Sequence, residues 1–141
     1  MSFKFEKLEI WKEALEISAQ VNSLTQTFPK SELFNLTSQI QRAADSAVLN
    51  IAEGSQGQSN REFARFLTMA IRSSIEVVSC LYIAQRRGYL KSATESTLYT
   101  ASEKLIKRTQ TLQNTLIPKR NLNSVLTILW SMVHGLWSIK L

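Results

Sequence analysis

Hydrophobic residues recur at helical spacing along most of the chain, and polar residues fill the faces between them. From about Lys7 to Thr27, Ile10, Ala14, Ile17, Val21, Leu24 and Phe28 repeat at intervals of four and three, which keeps them on one side of a helix. Leu8, Trp11, Leu15 and Ala19 form a second apolar stripe, centred roughly 120–140° round from the first at about 100° per residue. Glu9, Glu13, Glu16 and Gln20 take what remains. A helix that meets only its own core needs one broad stripe. Leu8, Trp11 and Leu15 therefore either widen the core face or meet another subunit.

The segment "TFPKSE" ends this first helix, because Pro29 cannot continue it. Ser31 is the expected N-cap of a second helix, whose face is Leu33, Leu36, Ile40, Ala44, Ala47 and Ile51 and which runs to about Glu53. Its middle, "RAADSAVLNIAEG", is rich in alanine, so a neighbouring backbone can approach closely. Gly54 is expected in the left-handed conformation that closes a helix. "SNRE" (59–62) has the form of a capping box, with Ser59 and Glu62 satisfying each other's amides. A third helix from about Asn60 to Arg87 has Phe63, Phe66, Leu67, Ala70, Ser74, Val77, Leu81 and Ala84 on one side, and Gly88 closes it. "SATE" (92–95) is a second capping box, opening a fourth helix that carries Leu98, Ala101, Leu105, Leu112 and Leu116 and stops at Pro118.

Beyond Pro118 the composition changes. Val125, Leu129, Met132, Leu136 and Ile139 repeat at four and three, with Leu126, Trp130, Val133 and Trp137 thickening the apolar side. The 19 residues between Arg120 and Lys140 carry no charge, which is the lower edge of a membrane-spanning length. Asn121, Asn123, Ser124, Thr127, Ser131, His134, Gly135 and Ser138 make the stretch too polar for that reading. A fifth helix packed on the bundle or on a partner is expected instead. The pattern thus divides the chain into an antiparallel up-down-up-down four-helix bundle over 1–117 and an apolar helical extension over 118–141, an all-α protein.

Composition bears mainly on chemistry. The single cysteine, Cys80, excludes an intrachain disulfide and a thiol metal site, and fits a reducing, cytoplasmic setting. The charge-dense start lacks the apolar core of a signal peptide. The one histidine, His134, lies in the apolar extension with neither a nucleophile nor an orienting acid near it. No Glu-x-x-His motif of the kind used by di-iron bundles is present. "GSQGQS" lacks the lysine and the preceding strand of a phosphate loop. No catalytic residue, metal site or cofactor is expected, and the protein reads as a non-enzyme.

The net charge of +6 is unevenly spread. Residues 1–57 hold five basic and seven acidic side chains, a balance of −2; residues 58–141 hold twelve and four, a balance of +8. On the third helix Arg61, Arg65, Arg72 and Arg86 fall opposite the apolar face, within roughly 60° of one another, and Arg87 and Lys91 extend the row. Such a row suits phosphates. It equally suits a solvated face, or one paired with Glu9, Glu13 and Glu16 of the first helix. Trp, Tyr and Phe are absent from the row between Arg61 and Arg86, so backbone contacts rather than base stacking are expected. Arg42, Ser46, Asn50 and Glu53 form a polar row on the second helix. In a hairpin of helices two and three, Glu53 would approach Arg61 and Arg42 would reach the Arg72–Glu76 turn, setting helix register.

The segment "RAADSAVLNIAEGSQGQSNREFARFLTMAIRSSIEV" (42–77) followed by "AQRRGYL" (84–90) resembles the ribosomal-RNA intervening-sequence protein family of four-helix bundle proteins. So does the opening pattern Phe5, Leu8, Trp11, Ala14. The resemblance covers about residues 3–117 and implies an up-down-up-down bundle, a homopentameric ring, and a fold similar to the accessory variability determinant of diversity-generating retroelements. It brings no catalytic residues. The chain departs from the family pattern after Pro118. The resulting expectation is a homo-oligomer that binds RNA or DNA backbone through the arginine row, as an accessory to a retroelement-like or RNA-processing system. The alternative is an adaptor oligomer that binds another protein through Trp130 and Trp137.

Overall fold

A computed structural model describes residues 1–57, 59–117 and 122–137, with side chains of 126–134 in the last helix. The chain is all-α, and among the described residues there is no strand. After a 3-10 turn at Lys4–Lys7 come α1 (Glu9–Thr25), α2 (Leu36–Ser55), α3 (Asn60–Arg86), α4 (Thr97–Leu116) and α5 (Leu122–Trp137). Helices α1 to α4 form a bundle, with α2 against both α1 and α3, and α4 against both α3 and α1.

The core is the set of apolar positions that the helical spacing selects. Ile10, Ala14, Ile17 and Val21 of α1 meet Ile40, Ala44 and Ile51 of α2, Leu67, Val77 and Leu81 of α3, and Leu98 and Leu105 of α4. Cys80 is buried, with 2% of its surface exposed, and burial pushes its thiol up to about 11. It behaves as a small apolar residue. Leu8 and Trp11 are half-buried and pack at the edge of this core. Phe5, from the preceding 3-10 turn, lies 4.8 Å from the Trp11 ring. Leu15 is 47% exposed.

Helix ends depart from the sequence expectations in four places. Gly54 does not close α2; it is buried inside the helix, and Gly88 is the described glycine with positive φ, at 81°. A Cβ on Gly54 would overlap the Cβ of Phe66, so the glycine is there for the crossing of α2 and α3 and not for a turn. Second, Ser31 caps nothing. Residues 30–32 form a 3-10 turn, and Glu32 supplies the cap by accepting a hydrogen bond from the Leu36 amide at 3.2 Å. Leu33 falls outside α2 and is 53% exposed. Third, the Ser59 hydroxyl accepts from the Glu62 amide at 3.1 Å, but the Glu62 carboxylate turns toward Gly57, so the box is half formed. Fourth, α4 begins later than expected, with Ser96 as N-cap accepting from the Leu98 amide at 3.2 Å. Ser92 accepts from the Glu95 amide in the preceding loop.

Gly88 does close α3. Its amide donates to Gln85 and the Tyr89 amide reaches back to the Ala84 carbonyl at 2.9 Å, the paired bonds of a Schellman end.

Helix α5 makes no contact with α1 to α4 among its described residues. The expected stop at Pro118 and the side chain of Trp137 lie outside the described residues. By length and hydropathy α3 is the one described helix that could span a membrane, yet its apolar side is the bundle core.

Candidate nucleic-acid interface

The long helix α3 sets the geometry of the basic row. Its buried side is fixed by Leu67, Ala70, Val77 and Leu81, so residues half a turn away must face outward. Arg61, Arg65, Arg72 and Arg86 are all exposed. No carboxylate lies within ion-pair distance of any of them among the described residues. Arg65 stacks its guanidinium over the Phe66 ring, 4.7 Å from the centroid. Lys91 is exposed in the loop after α3.

Arg87 has a different environment. Its Nη1 donates to both oxygens of Glu32, at 2.9 and 3.0 Å, and the Tyr89 hydroxyl donates to the same carboxylate at 2.9 Å. Burial opposes ionisation of Glu32, but the Leu36 amide, Tyr89 and Arg87 together hold its carboxyl below the ordinary glutamate value. The hydrogen bond to Glu32, followed by burial, pushes the Tyr89 hydroxyl up. Arg87 is thus tied to the junction that joins α2 and α3, one step round the helix from the outward row.

The acidic residues of α1 do not neutralise that row. Glu13 takes Arg108 at 2.7 Å and Lys104 at 3.3 Å, both from α4. Glu9 pairs with Lys12 on its own helix at 2.9 Å.

Arg61 and Arg65 border an open hollow of about 540 Å³ between the start of α3 and the end of α4. Gln113 forms its wall, donating to the Ala64 carbonyl at 2.9 Å and to the Thr68 hydroxyl. Arg61 borders the α4 side, and Glu53, exposed on α2, forms no ion pair with it among the described residues.

The polar row of α2 is joined at its centre. The Ser46 and Ser73 hydroxyls lie 2.9 Å apart across the helix pair, and Asn50 donates to the Ser46 carbonyl at 2.8 Å. Gln39 donates to Glu76. Arg42 and Glu76 border one polar hollow of about 300 Å³ with Phe34 and Gln39. Arg42 and Glu76 share that hollow without an ion pair.

Sequence reasoning missed three features. Glu32 was hidden by its place in a loop after a proline. Tyr82 is 48% exposed one turn before Arg86, with its ring edge-on to Tyr99 at 6.4 Å, so an aromatic does flank the row. Phe34 is 93% exposed, and an isolated aromatic just before a helix gives no periodic signal. His134, the one histidine, is exposed on α5, its ring stacked on Trp130. Among the described residues no three His, Cys, Asp or Glu side chains converge on a point.

These features define an all-α bundle protein whose outward helix presents arginines. The chain matches the 23S rRNA-intervening sequence protein family over residues 6–111 and belongs to that family. The matched region ends within α4, so α5 lies beyond it. No curated protein matches the chain.

Proposed function

We propose that this protein is a non-catalytic homo-oligomer that binds nucleic-acid backbone through the outward face of α3. The observation that carries the reading is the run of exposed arginines, Arg61, Arg65, Arg72 and Arg86, with no carboxylate to pair with among the described residues. Guanidinium groups in a row suit phosphate oxygens, and binding then releases counterions and weakens with salt. Arg87 and Lys91 extend the row at its end, Arg87 with one side of its guanidinium held by Glu32. The family description names 23S rRNA, so RNA is the first polyanion to test. A role beside a retroelement or RNA-processing enzyme, in the cytoplasm and without a cofactor, follows from this reading.

The up-down-up-down arrangement belongs to the same proposal. It is supported by side-chain pairs that run in opposite order along neighbouring helices: Gln39 with Glu76 and Ser46 with Ser73 between α2 and α3, and Thr68 with Gln113 and Tyr82 with Tyr99 between α3 and α4. A pentamer is the favoured assembly, with Leu8, Trp11 and Leu15 as contact residues. Leu15 is exposed and Trp11 half-buried at the core edge, which suits an apolar surface shared between copies.

A gel-shift assay at low salt with a structured RNA tests the binding. Wild type should shift it and lose the shift as salt rises. The Arg61→Glu/Arg65→Glu/Arg72→Glu variant should keep its helicity and bind no RNA. If wild type shows no salt-sensitive binding to RNA or DNA, the reading fails. A second reading is favoured by the exposed apolar side chains of α5, Trp130 among them at 65%: an adaptor oligomer that holds another protein and touches no nucleic acid. Co-purification with and without nuclease separates the two.

A further inference from the structure

The polar row of α2 borders a hollow whose opposite charges are not joined to each other. The hollow, of about 300 Å³, is lined by Phe34, Asn35, Gln39, Arg42, Ser46 and Glu76. Two contacts between α2 and α3 bracket Arg42 along its helix: Gln39 donates to Oε1 of Glu76, and the Ser46 and Ser73 hydroxyls lie 2.9 Å apart. These hold the register of the two helices without Arg42. Its side chain is exposed and has no hydrogen bond or ion pair among the described residues. Oε2 of Glu76 has no hydrogen bond among them either. Helix pairing therefore accounts for Gln39, Ser46 and Ser73, and leaves a guanidinium and a carboxylate oxygen in one hollow with nothing between them.

Phe34 gives this hollow an aromatic edge. It lies in the turn just before α2 and is 93% exposed. An exposed ring beside hydrogen-bond donors and acceptors is the arrangement that stacks an unpaired base and reads its edge. A volume of about 300 Å³ is at the small end for ligand sites, so it suits one base and not a duplex. The outward arginine row passes close by. Arg72 is one turn of α3 before Glu76, roughly 5–6 Å away between Cβ atoms. A single strand whose phosphate meets Arg72 thus carries its bases beside the hollow.

We propose that the α2–α3 hollow takes one guanine base of single-stranded RNA, stacked on Phe34. This rests on the RNA-backbone reading and extends it from phosphate to base. Guanine offers two adjacent N–H donors, N1–H and the exocyclic amine, which suit a carboxylate, and the O6 and N7 acceptors, which suit a guanidinium. Glu76 and Arg42 supply that pair from two helices, with Gln39 orienting the carboxylate. Adenine sets a ring acceptor beside its amino group, which the carboxylate repels. Uracil has one N–H donor in place of two, and cytosine has one amino group beside two acceptors.

The test titrates the full chain into fluorescein-labelled oligouridine and into the same oligomer with one central guanosine, followed by anisotropy at low salt. Wild type should bind the guanosine oligomer about tenfold more tightly. Phe34→Ala and Glu76→Gln, each checked for unchanged helicity by circular dichroism, should lose that preference and keep the oligouridine affinity. Inosine in place of guanosine, which removes the exocyclic amine, should weaken binding by wild type and not by Glu76→Gln. A preference for adenosine or cytidine at the central position overturns the proposal, as does a guanosine preference that survives in Phe34→Ala and Glu76→Gln. Free guanosine monophosphate that binds as tightly as the oligomer overturns RNA as the source of the base. Equal, salt-sensitive binding of both oligomers by wild type overturns the base site and leaves the backbone reading standing. Wild type that binds neither oligomer removes both.

Discussion

Arg87 and Glu32 are 55 residues apart in the chain and bonded at 2.9 Å. Arg87 follows the last residue of α3, and Glu32 closes the turn that leads into α2. The Glu32 carboxylate also accepts from the Leu36 amide and the Tyr89 hydroxyl. One buried carboxylate thus caps α2 and fastens it to the end of α3.

The linkage has a defined pH window. Glu32 titrates below its ordinary value of 4.5, so its contribution is complete above that value and is lost as pH falls through the folded value. Glu32→Gln should lower the melting temperature at neutral pH, and the gap to wild type should narrow as pH falls below 4.5. Thermal unfolding followed by circular dichroism across pH 3–7 measures this. A constant gap between the two proteins at all pH values would show that the carboxylate charge is not the cause.

Gly54 has two opposing effects to weigh. Alanine is the better helix former by about 1 kcal/mol. A Cβ there would overlap Phe66, and overpacking a helix crossing costs typically 1–3 kcal/mol. Gly54→Ala should therefore be destabilising in urea unfolding. A stabilised variant would mean that α2 and α3 separate without strain.

The start of α4 distinguishes two serines. Ser96→Ala removes the N-cap and should cost roughly 1 kcal/mol. Ser92→Ala, in the loop before the helix, should cost less. Equal losses in denaturant titrations would place the helix start nearer "SATE".

Arg72 and Arg87 make a matched pair of probes. Arg72→Gln should leave the melting temperature unchanged and reduce the salt slope of RNA binding by about one. Arg87→Gln should lower the melting temperature because it breaks the junction with Glu32. Identical effects of the two on stability would contradict the distinction drawn between them.

Cys80 should be nearly inert toward iodoacetamide at pH 8 in the native protein, since its thiol is buried and pushed up to about 11. Labelling should become complete in denaturant. Rapid native labelling, read by mass spectrometry, would show that α3 opens locally.

What the sequence determined by itself is the set of helices and their buried sides. Ile10, Ala14, Ile17 and Val21, or Leu67, Val77 and Leu81, lie on one side because 3.6 residues make a turn, whatever the neighbours are. The outward position of Arg61, Arg65, Arg72 and Arg86 follows from the same arithmetic. Tertiary structure decided how the helices end and what they touch. Gly54 reads as a terminator in one dimension and is a crossing point in three, because only the position of Phe66 shows why a side chain is excluded. Glu32, Arg87 and Tyr89 carry no joint signal along the chain, since a hydrogen bond between residues 55 apart depends on how two helices meet. Arg87 differs from Arg86 for that reason alone. In α5 the apolar pattern was legible and its cover was not, because a pattern records that a side must be buried and only a partner's surface specifies against what.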